Sequence, residues 1–512
     1  MVNRNSGSHV EGRLTGTVYG TILEVLSTGL YSNKLDILRE YIQNAYDAIK
    51  AARRANLPDT GTISIRILGE DLVIHDDGLG ISGDSIHDFG AVGASNKYDP
   101  EDTGFRGIGR LSGICAADEL VFVTKVKGEE FRNLVRFRAG DMIRENEASL
   151  RNKVRMPLDV LIEKYGTVER IPEAADKHYT TVILRKMNRN SRVLLDEEEI
   201  DRYIAEIAPV DFGENFQAAD GVRKFLAGNV PHIQYVQGYL NNVSIVKPYT
   251  DDPPLGNLRF FEVKDRRDRT VAVCWSMMNT QARQLDDEST AGIRMRVKGI
   301  GVGPPSYVED VLKMTQPTLF YWFVGEIHII DEDCKPSSDR NQLVDNDARK
   351  VLFEELHRQV GFSLEKDARR ASQESGVRKR LLKAKEVLEE ARRAARRPLT
   401  VEKKSTEVDR VVKEMARIDR AIDESQVSKK VQSEAKELLQ AMTQQIQILR
   451  RTTQELDVAK RLGLTREARK LYESFVEATR ASLRGEFRYR ASTVEDILQA
   501  ISEELVRKWK RV

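Results

Sequence analysis

The sequence predicts an α+β protein whose last third is all helix. Helical and strand periodicities alternate through the first 345 residues, a cluster of glycines between Gly78 and Gly113 interrupts the first such stretch, and beyond Asn346 the strand signal fades. At 512 residues the chain is long enough for about three domains of ordinary size. We expect them at 1–197, 198–345 and 346–512.

In chain order, Ile37, Leu38, Tyr41, Ile42 and Ala45 recur at three-to-four spacing, which predicts a helix over roughly 34 to 53 with one apolar face. Alternation in TISIRILGEDLVIHDDG predicts two strands joined at Gly69-Glu70-Asp71. ELVFVTKVKGEEFRNLVRFRAG, residues 119 to 140, predicts a second hairpin, and YTTVILRKM from Tyr179 a further strand. In the second region the strand candidates are TVAVCWSM, IRMRVKGIGVG and YWFVGEIHII. In the third, Val408, Val411, Met415, Ile418 and Ile422, then Val431, Ala435, Leu438, Met442, Ile446 and Leu449, make a coiled-coil seam. Arg397-Pro398 breaks the helix before it, because proline lacks the amide donor and restricts the preceding residue.

Composition narrows the function. An apolar content of 40% supports folded cores, and a charged content of 32% fits long solvated helices. The 82 Lys and Arg against 80 Asp and Glu leave a net charge of +2, so no global field pulls the chain to nucleic acid or an anionic membrane. Cys115, Cys274 and Cys334 lie far apart and match neither a disulfide framework nor a zinc pattern. MVNRNSGSHVEGRL has no apolar signal core, and no run of eighteen apolar residues occurs. We expect a soluble, cytoplasmic protein with no membrane partner.

Three short stretches carry candidate chemistry. Glu40, Asn44 and Asp47, spaced by four and three, line one stripe of the first helix. Such a stripe is ordinarily a solvated surface. As a site, Asn44 supplies a neutral oxygen to a magnesium ion bridging phosphates, and Glu40 polarises a water for attack on the terminal phosphate. Asp76-Asp77-Gly78-Leu79-Gly80 follows the strand LVIH, where glycine permits a tight excursion and lets a ligand approach the backbone. Asp76 could accept an exocyclic amino hydrogen of adenine there, although Asp-Gly is also a plain hairpin signal. Gly104-Phe105-Arg106-Gly107-Ile108-Gly109 precedes RLSGICAAD. It lacks the strand and the acidic partner of a dinucleotide fingerprint, but glycines opening a helix expose amides that cradle phosphate. Ser95 and Lys97 in GASNK add a hydroxyl and a cation on a segment read as a lid; Lys97 reads equally as a solvated loop lysine.

In order and spacing, Glu40 with Asn44, Asp76 with Gly78 and Gly80, Gly104 with Gly107 and Gly109, then Thr180 on a strand, resemble the four nucleotide motifs of the gyrase, heat shock protein 90, histidine kinase and MutL superfamily. LYSNKLDILREYIQNAYDA resembles the heat shock protein 90 segment, while GASNK and GFRG are closer to MutL. The resemblance covers about the first 190 residues. It implies a Bergerat-type fold that binds ATP and Mg2+, with Glu40 as general base, Asn44 as metal ligand, Asp76 as adenine acceptor supported by Thr180, and the glycine loop on the phosphates. Tyr179 departs from the glycine the family usually has before that threonine. The resemblance also implies that residues 200 to 345 are a transducer domain sending a basic residue into the neighbouring ATP site. GEIHIIDEDCKPSSDRNQL points to Arg340 by similarity to heat shock protein 90, and Lys335 is the rival by analogy with MutL and topoisomerase relatives.

The implied activity is an ATPase that closes a homodimer on a protein client, the lid around 82 to 110 shutting over the nucleotide. The competing reading is a DNA-associated clamp like MutL, the topoisomerase B subunits or the microrchidia proteins, with Arg378-Lys379-Arg380, Arg392-Arg393, Arg396-Arg397 and Lys508-Trp509-Lys510-Arg511 as phosphate contacts. A histidine kinase is set aside, since no helical histidine precedes the ATP motifs.

Overall fold

The computed structural model describes residues 18–24, 33–89, 109–230, 233–395, 401–425, 427–485 and 491–509. They form two units, Met1–Lys366 and Asp367–Val512.

The first unit is α+β, as expected, and holds two sheets. Its eight-stranded sheet has the order β5-β4-β3-β6-β2-β1-β7-β8. The first hairpin is β1 (Thr62–Leu68) and β2 (Asp71–Asp76), the second is β3 (Ala117–Lys125) and β4 (Phe131–Phe137), and β5 (Gly166–Pro172) closes one edge. β6 (Tyr179–Met187) runs between the hairpins, antiparallel to both β2 and β3. At the other edge β7 (Gln237–Leu240) pairs parallel with β1, and β8 (Val243–Ile245) follows antiparallel.

The helix Leu35–Arg54 lies on this sheet and ends with Arg53 and Arg54 in its last turn, where cations suit the helix dipole. Ile37, Leu38, Ile42 and Ile49 are fully buried in the same core as Ile63, Ile65, Leu72 and Ile74 of the sheet. Each such side chain contributes about 1.5–3 kcal/mol.

The second sheet has the order β12-β11-β13-β10-β9, built from β9 (Arg259–Lys264), β10 (Thr270–Met278), β11 (Gly292–Val297), β12 (Ile300–Val302) and β13 (Phe323–Ile329). Tyr321 and Trp322, read as strand from the sequence, belong to a 3-10 turn at Pro317–Trp322. Inside this sheet lies a buried charge network. The Glu326 carboxylate takes hydrogen bonds from Lys247 Nζ at 2.7 Å and Arg296 Nε at 2.6 Å, with His328 Nε2 at 3.1 Å. Arg296 also donates to the carbonyls of Glu206, Ile207 and Ala208, tying the sheet to the end of the helix Glu197–Ile207. Burial pushes the Lys247 ammonium down to about 7, Arg296 adding to the effect and Glu326 opposing it.

The second unit is helical. The helices Val401–Asp423 and Lys429–Arg461 bring the seam together: Val411, Ile418, Val431, Ala435, Met442 and Leu449 are buried in one cluster with Val377, Leu381, Ala384 and Leu388 of the helix Phe362–Ala395. Ser428 bonds Glu374 and Gln445 bonds the carbonyl of Ala391, so the helices Phe362–Ala395 and Lys429–Arg461 run in the same direction. Arg397-Pro398 lies outside the described residues. A further helical pair, Arg466–Gly485 and Ala491–Trp509, packs through Val476, Val494 and Leu498. Among the described residues no helix is long and apolar enough to cross a membrane.

Candidate functional site

The helix Leu35–Arg54 spans the candidate site from end to end. Glu40 and Asn44 are partly exposed on it, one turn apart. Asp47, the third member of the stripe, is buried and pairs with Lys50 at 3.3 Å, so its carboxylate is engaged along the helix.

Near one end of the stripe, the segment after β2 packs onto this helix. Leu79 N donates to the carbonyl of Ala48 at 3.0 Å, and Gly78 N donates to Asp76 Oδ1 at 3.0 Å. Asp77 is spent on the fold, accepting from the amides of Gly61 and Thr62 at 2.7 and 2.9 Å. Gly80 has φ +78, and a Cβ there would lie 2.0 Å from the carbonyl oxygen of Lys125, so a side chain is excluded by both conformation and space.

Asp76 is 5% exposed. Burial pushes its carboxyl up to about 8, against the opposing hydrogen bond from the Gly78 amide. Strand register extends a polar row from it across the sheet: Asp76 faces Thr180, Thr180 faces Thr124, and Thr124 faces Asn133. The hydroxyls of Thr180 and Thr124 are 3.1 Å apart, and Thr124 Oγ1 also accepts from Ile81 N at 2.8 Å. Tyr179, the departure from the family pattern, turns its hydroxyl outward onto Glu173 at 2.7 Å, leaving Thr180 in the row.

At the other end stands Gly109. A Cβ there would lie 2.0 Å from Glu40 Oε2, so the end of the glycine segment abuts the Glu40 carboxylate. Tyr41 holds the stretch that follows, its hydroxyl accepting from Gly113 N at 2.8 Å and donating to Arg110 O at 3.2 Å. Ser95, Lys97, Gly104, Phe105, Arg106, Gly107 and Ile108 lie outside the described residues.

The two candidate cations differ in placement. Lys335 is exposed. Arg340 is buried with φ +54, in a turn where its amide bonds Ser337 O at 3.1 Å and its carbonyl accepts from Gly303 N at 2.9 Å. The turn is docked on the Glu40 helix, since Arg39 Nη2 donates to the carbonyl of Asp339. Arg39 to Ala48 spans about 14 Å at 1.5 Å rise per residue, and along that span the helix meets the Arg340 turn, the end of the glycine segment and the Asp76 segment.

Sequence reading missed Thr124, Arg39, Asp36 and Tyr203. Thr124 carries no local motif, and the partner of Arg39 is 300 residues away. Among the described residues no three His, Cys, Asp or Glu side chains gather as a metal site. An ion held beside Asn44 would take its other ligands from phosphate and water, which suits magnesium.

Residues 31–165 match the family model described as histidine kinase-, DNA gyrase B-, and HSP90-like ATPase. The chain is 30% identical over 137 residues to a protein named chaperone protein HtpG from Sulfurovum sp. (strain NBC37-1), covering 22% of each. It is 29% identical over 142 residues to another protein of that name from Albidiferax ferrireducens, covering 23% of this chain and 21% of that one. The chain thus spans about a fifth of the length of these relatives. With the candidate motifs gathered on one helix above a mixed sheet, residues 31–165 of the first unit are thus similar to the histidine kinase-, DNA gyrase B-, and HSP90-like ATPases.

Proposed function

We propose that this chain is a magnesium-dependent ATPase of the heat-shock-protein-90-like type, which uses ATP-driven closure of a homodimer to remodel or clamp a macromolecular partner in the cytoplasm. The observation that carries the reading is the convergence on the helix Leu35–Arg54, with the buried Asp76 toward one end and the Glu40 carboxylate against Gly109 at the other.

Asp76 accepts the exocyclic amino hydrogen of adenine, and whether ionised or protonated it keeps an oxygen able to do so. Thr180, beside it in the register, supports the base. Gly78 and Gly80 keep side chains out of the approach, and the amides of the segment 104–109 cradle the phosphates. Asn44 holds magnesium through its amide oxygen, and that ion when bound neutralises phosphate charge. Glu40 takes the proton of a water whose oxygen bonds to the terminal phosphorus; the bond from phosphorus to the bridging oxygen breaks, and ADP leaves with its electron pair. Arg340, in the turn docked beside Glu40, offsets charge developing on the transferred group. Lys335 is the alternative for that role.

Hydrolysis works here as a switch in which the lid closes, the transducer completes the site, and the helical end holds the dimer together. The domain division 1–197, 198–345 and 346–512 belongs to this proposal. A second reading, a DNA-associated clamp, is favoured by the exposed Lys379, Arg380, Lys383 and Lys385 on one helix of the second unit.

The test is magnesium-dependent ATP turnover by the full chain, Glu40→Ala, Arg340→Ala and Lys335→Ala, with and without duplex DNA. Glu40→Ala should keep nucleotide affinity and lose turnover, by roughly two to four orders of magnitude for a general base. Equal turnover in Glu40→Ala removes the base. Stimulation by DNA that falls steeply with salt selects the clamp over the chaperone-like reading.

A further inference from the structure

We propose that Arg39, oriented by Asp36 and Tyr203, is a positioning residue that latches the Arg340 turn to the helix carrying Glu40, so that the two ends of the chemistry are set by one helical turn. The inference rests on the ATPase reading for its consequence, though the latch itself stands on geometry.

Asp36 and Arg39 sit on the first turns of the helix at 3% and 4% exposure, one turn apart and paired at 3.0 Å. Buried charges are tolerated when paired and bonded, and here a third group completes the set. Tyr203 comes from the helix Glu197–Ile207, and its hydroxyl donates to the same Asp36 oxygen at 2.6 Å. Asp36 therefore fixes the guanidinium from one side while Tyr203 fixes Asp36. Nη2, the nitrogen that pairs with Asp36, also donates to the carbonyl of Asp339, so the ion pair and the grip share one end of the guanidinium.

That carbonyl belongs to the peptide bond leading into Arg340. The positive φ of Arg340 and the bonds of its amide and carbonyl to Ser337 and Gly303 make the turn rigid, so a grip on this one peptide orients the whole turn. Arg39 is also the residue next to Glu40, and any shift of the helix start moves the carboxylate and the docking point together. The other end of the Tyr203 helix is bonded by Arg296 of the second sheet and paired through Glu206 with Arg294 at 3.1 Å. The helix Glu197–Ile207 thus touches both the latch and the second sheet, which makes the latch a place where movement of that sheet would be felt at the site.

The experiment compares the full chain with Tyr203→Phe, Arg39→Met and Arg39→Lys by amide hydrogen exchange and by ATP turnover. Tyr203→Phe removes one hydroxyl with almost no change of shape, so it tests the latch even if Arg39→Met fails to fold. Expected are exchange at the Ser337, Arg340 and Gly303 amides about tenfold faster in Tyr203→Phe, as for one lost bond to a charged group, and kcat about tenfold lower with nucleotide Kd nearly unchanged. Arg39→Lys, which keeps one donor at that position, should recover part of both losses relative to Arg39→Met. Unchanged exchange in Tyr203→Phe overturns the latch. Faster exchange with unchanged kcat overturns its role in positioning. Absence of turnover in the native chain sinks the ATPase reading, while the exchange result still decides the latch.

Discussion

Replacing Gly109 by alanine tests the arrangement of the site with a single methyl group. The new Cβ would lie 2.0 Å from Glu40 Oε2 and 2.9 Å from its Cδ, where real Cβ contacts stay beyond 3.0 Å. The atoms in the way form the far end of a flexible side chain, so the fold should survive and the carboxylate should yield. It must retreat by at least 1.0 Å, the difference between 3.0 and 2.0 Å. A misplacement of about 1 Å can cost on the order of 100-fold in rate. Nucleotide affinity should change far less, because the adenine end lies about two helical turns away. Stopped-time assays of phosphate release, with fluorescence titration of a nucleotide analogue and a thermal melt as controls, give the three quantities required. If Gly109→Ala binds nucleotide, melts like the native chain and turns over within about threefold of it, Glu40 is not the base and the reasoning fails.

Three further outcomes follow from buried groups. Asp76 is protonated in the folded state up to about pH 8, whereas an ordinary aspartate ionises near 3.8. Its contribution to stability is therefore full below the lower value and lost as pH rises through the higher, at about 1.4 kcal/mol per pH unit between them. Without nucleotide, Asp76→Asn should lack that slope and gain on the native chain from about pH 5 to 8 while losing ATP affinity; parallel curves from paired denaturant titrations would contradict the burial of Asp76. Gly80→Ala adds a left-handed strain of about 1–2 kcal/mol to a backbone clash, so a loss of roughly 3 kcal/mol or more is expected in urea unfolding, and a native midpoint would be incompatible with the close approach to Lys125. Glu326→Gln leaves Arg296 and Lys247 buried around a neutral amide, and should cost roughly 3–5 kcal/mol; a cost below about 1 kcal/mol in the same assay would mean that the network is not a paired one.

Local chemistry made much of this protein legible from its sequence. The helix bearing Glu40 follows from the spacing of Ile37, Leu38, Tyr41 and Ile42, because a period near 3.6 permits one buried face and no other regular structure. The hairpin from Thr62 to Asp76 and the strand Tyr179–Met187 follow from alternation and turn residues in the same way, and the seam from Val408 to Leu449 from repeated steps of three and four. These patterns are properties of neighbours along the chain. Tertiary structure alone decided who meets whom at long range: that Thr124 stands between Thr180 and Asn133, that β7 returns from residue 237 to pair with β1, that Gly109 presses on Glu40, and that Arg39 holds the carbonyl of Asp339. Such pairings depend on sheet order and on which buried polar group must find a partner once water is excluded. A single sequence records the donors and acceptors but not the folded distances between them.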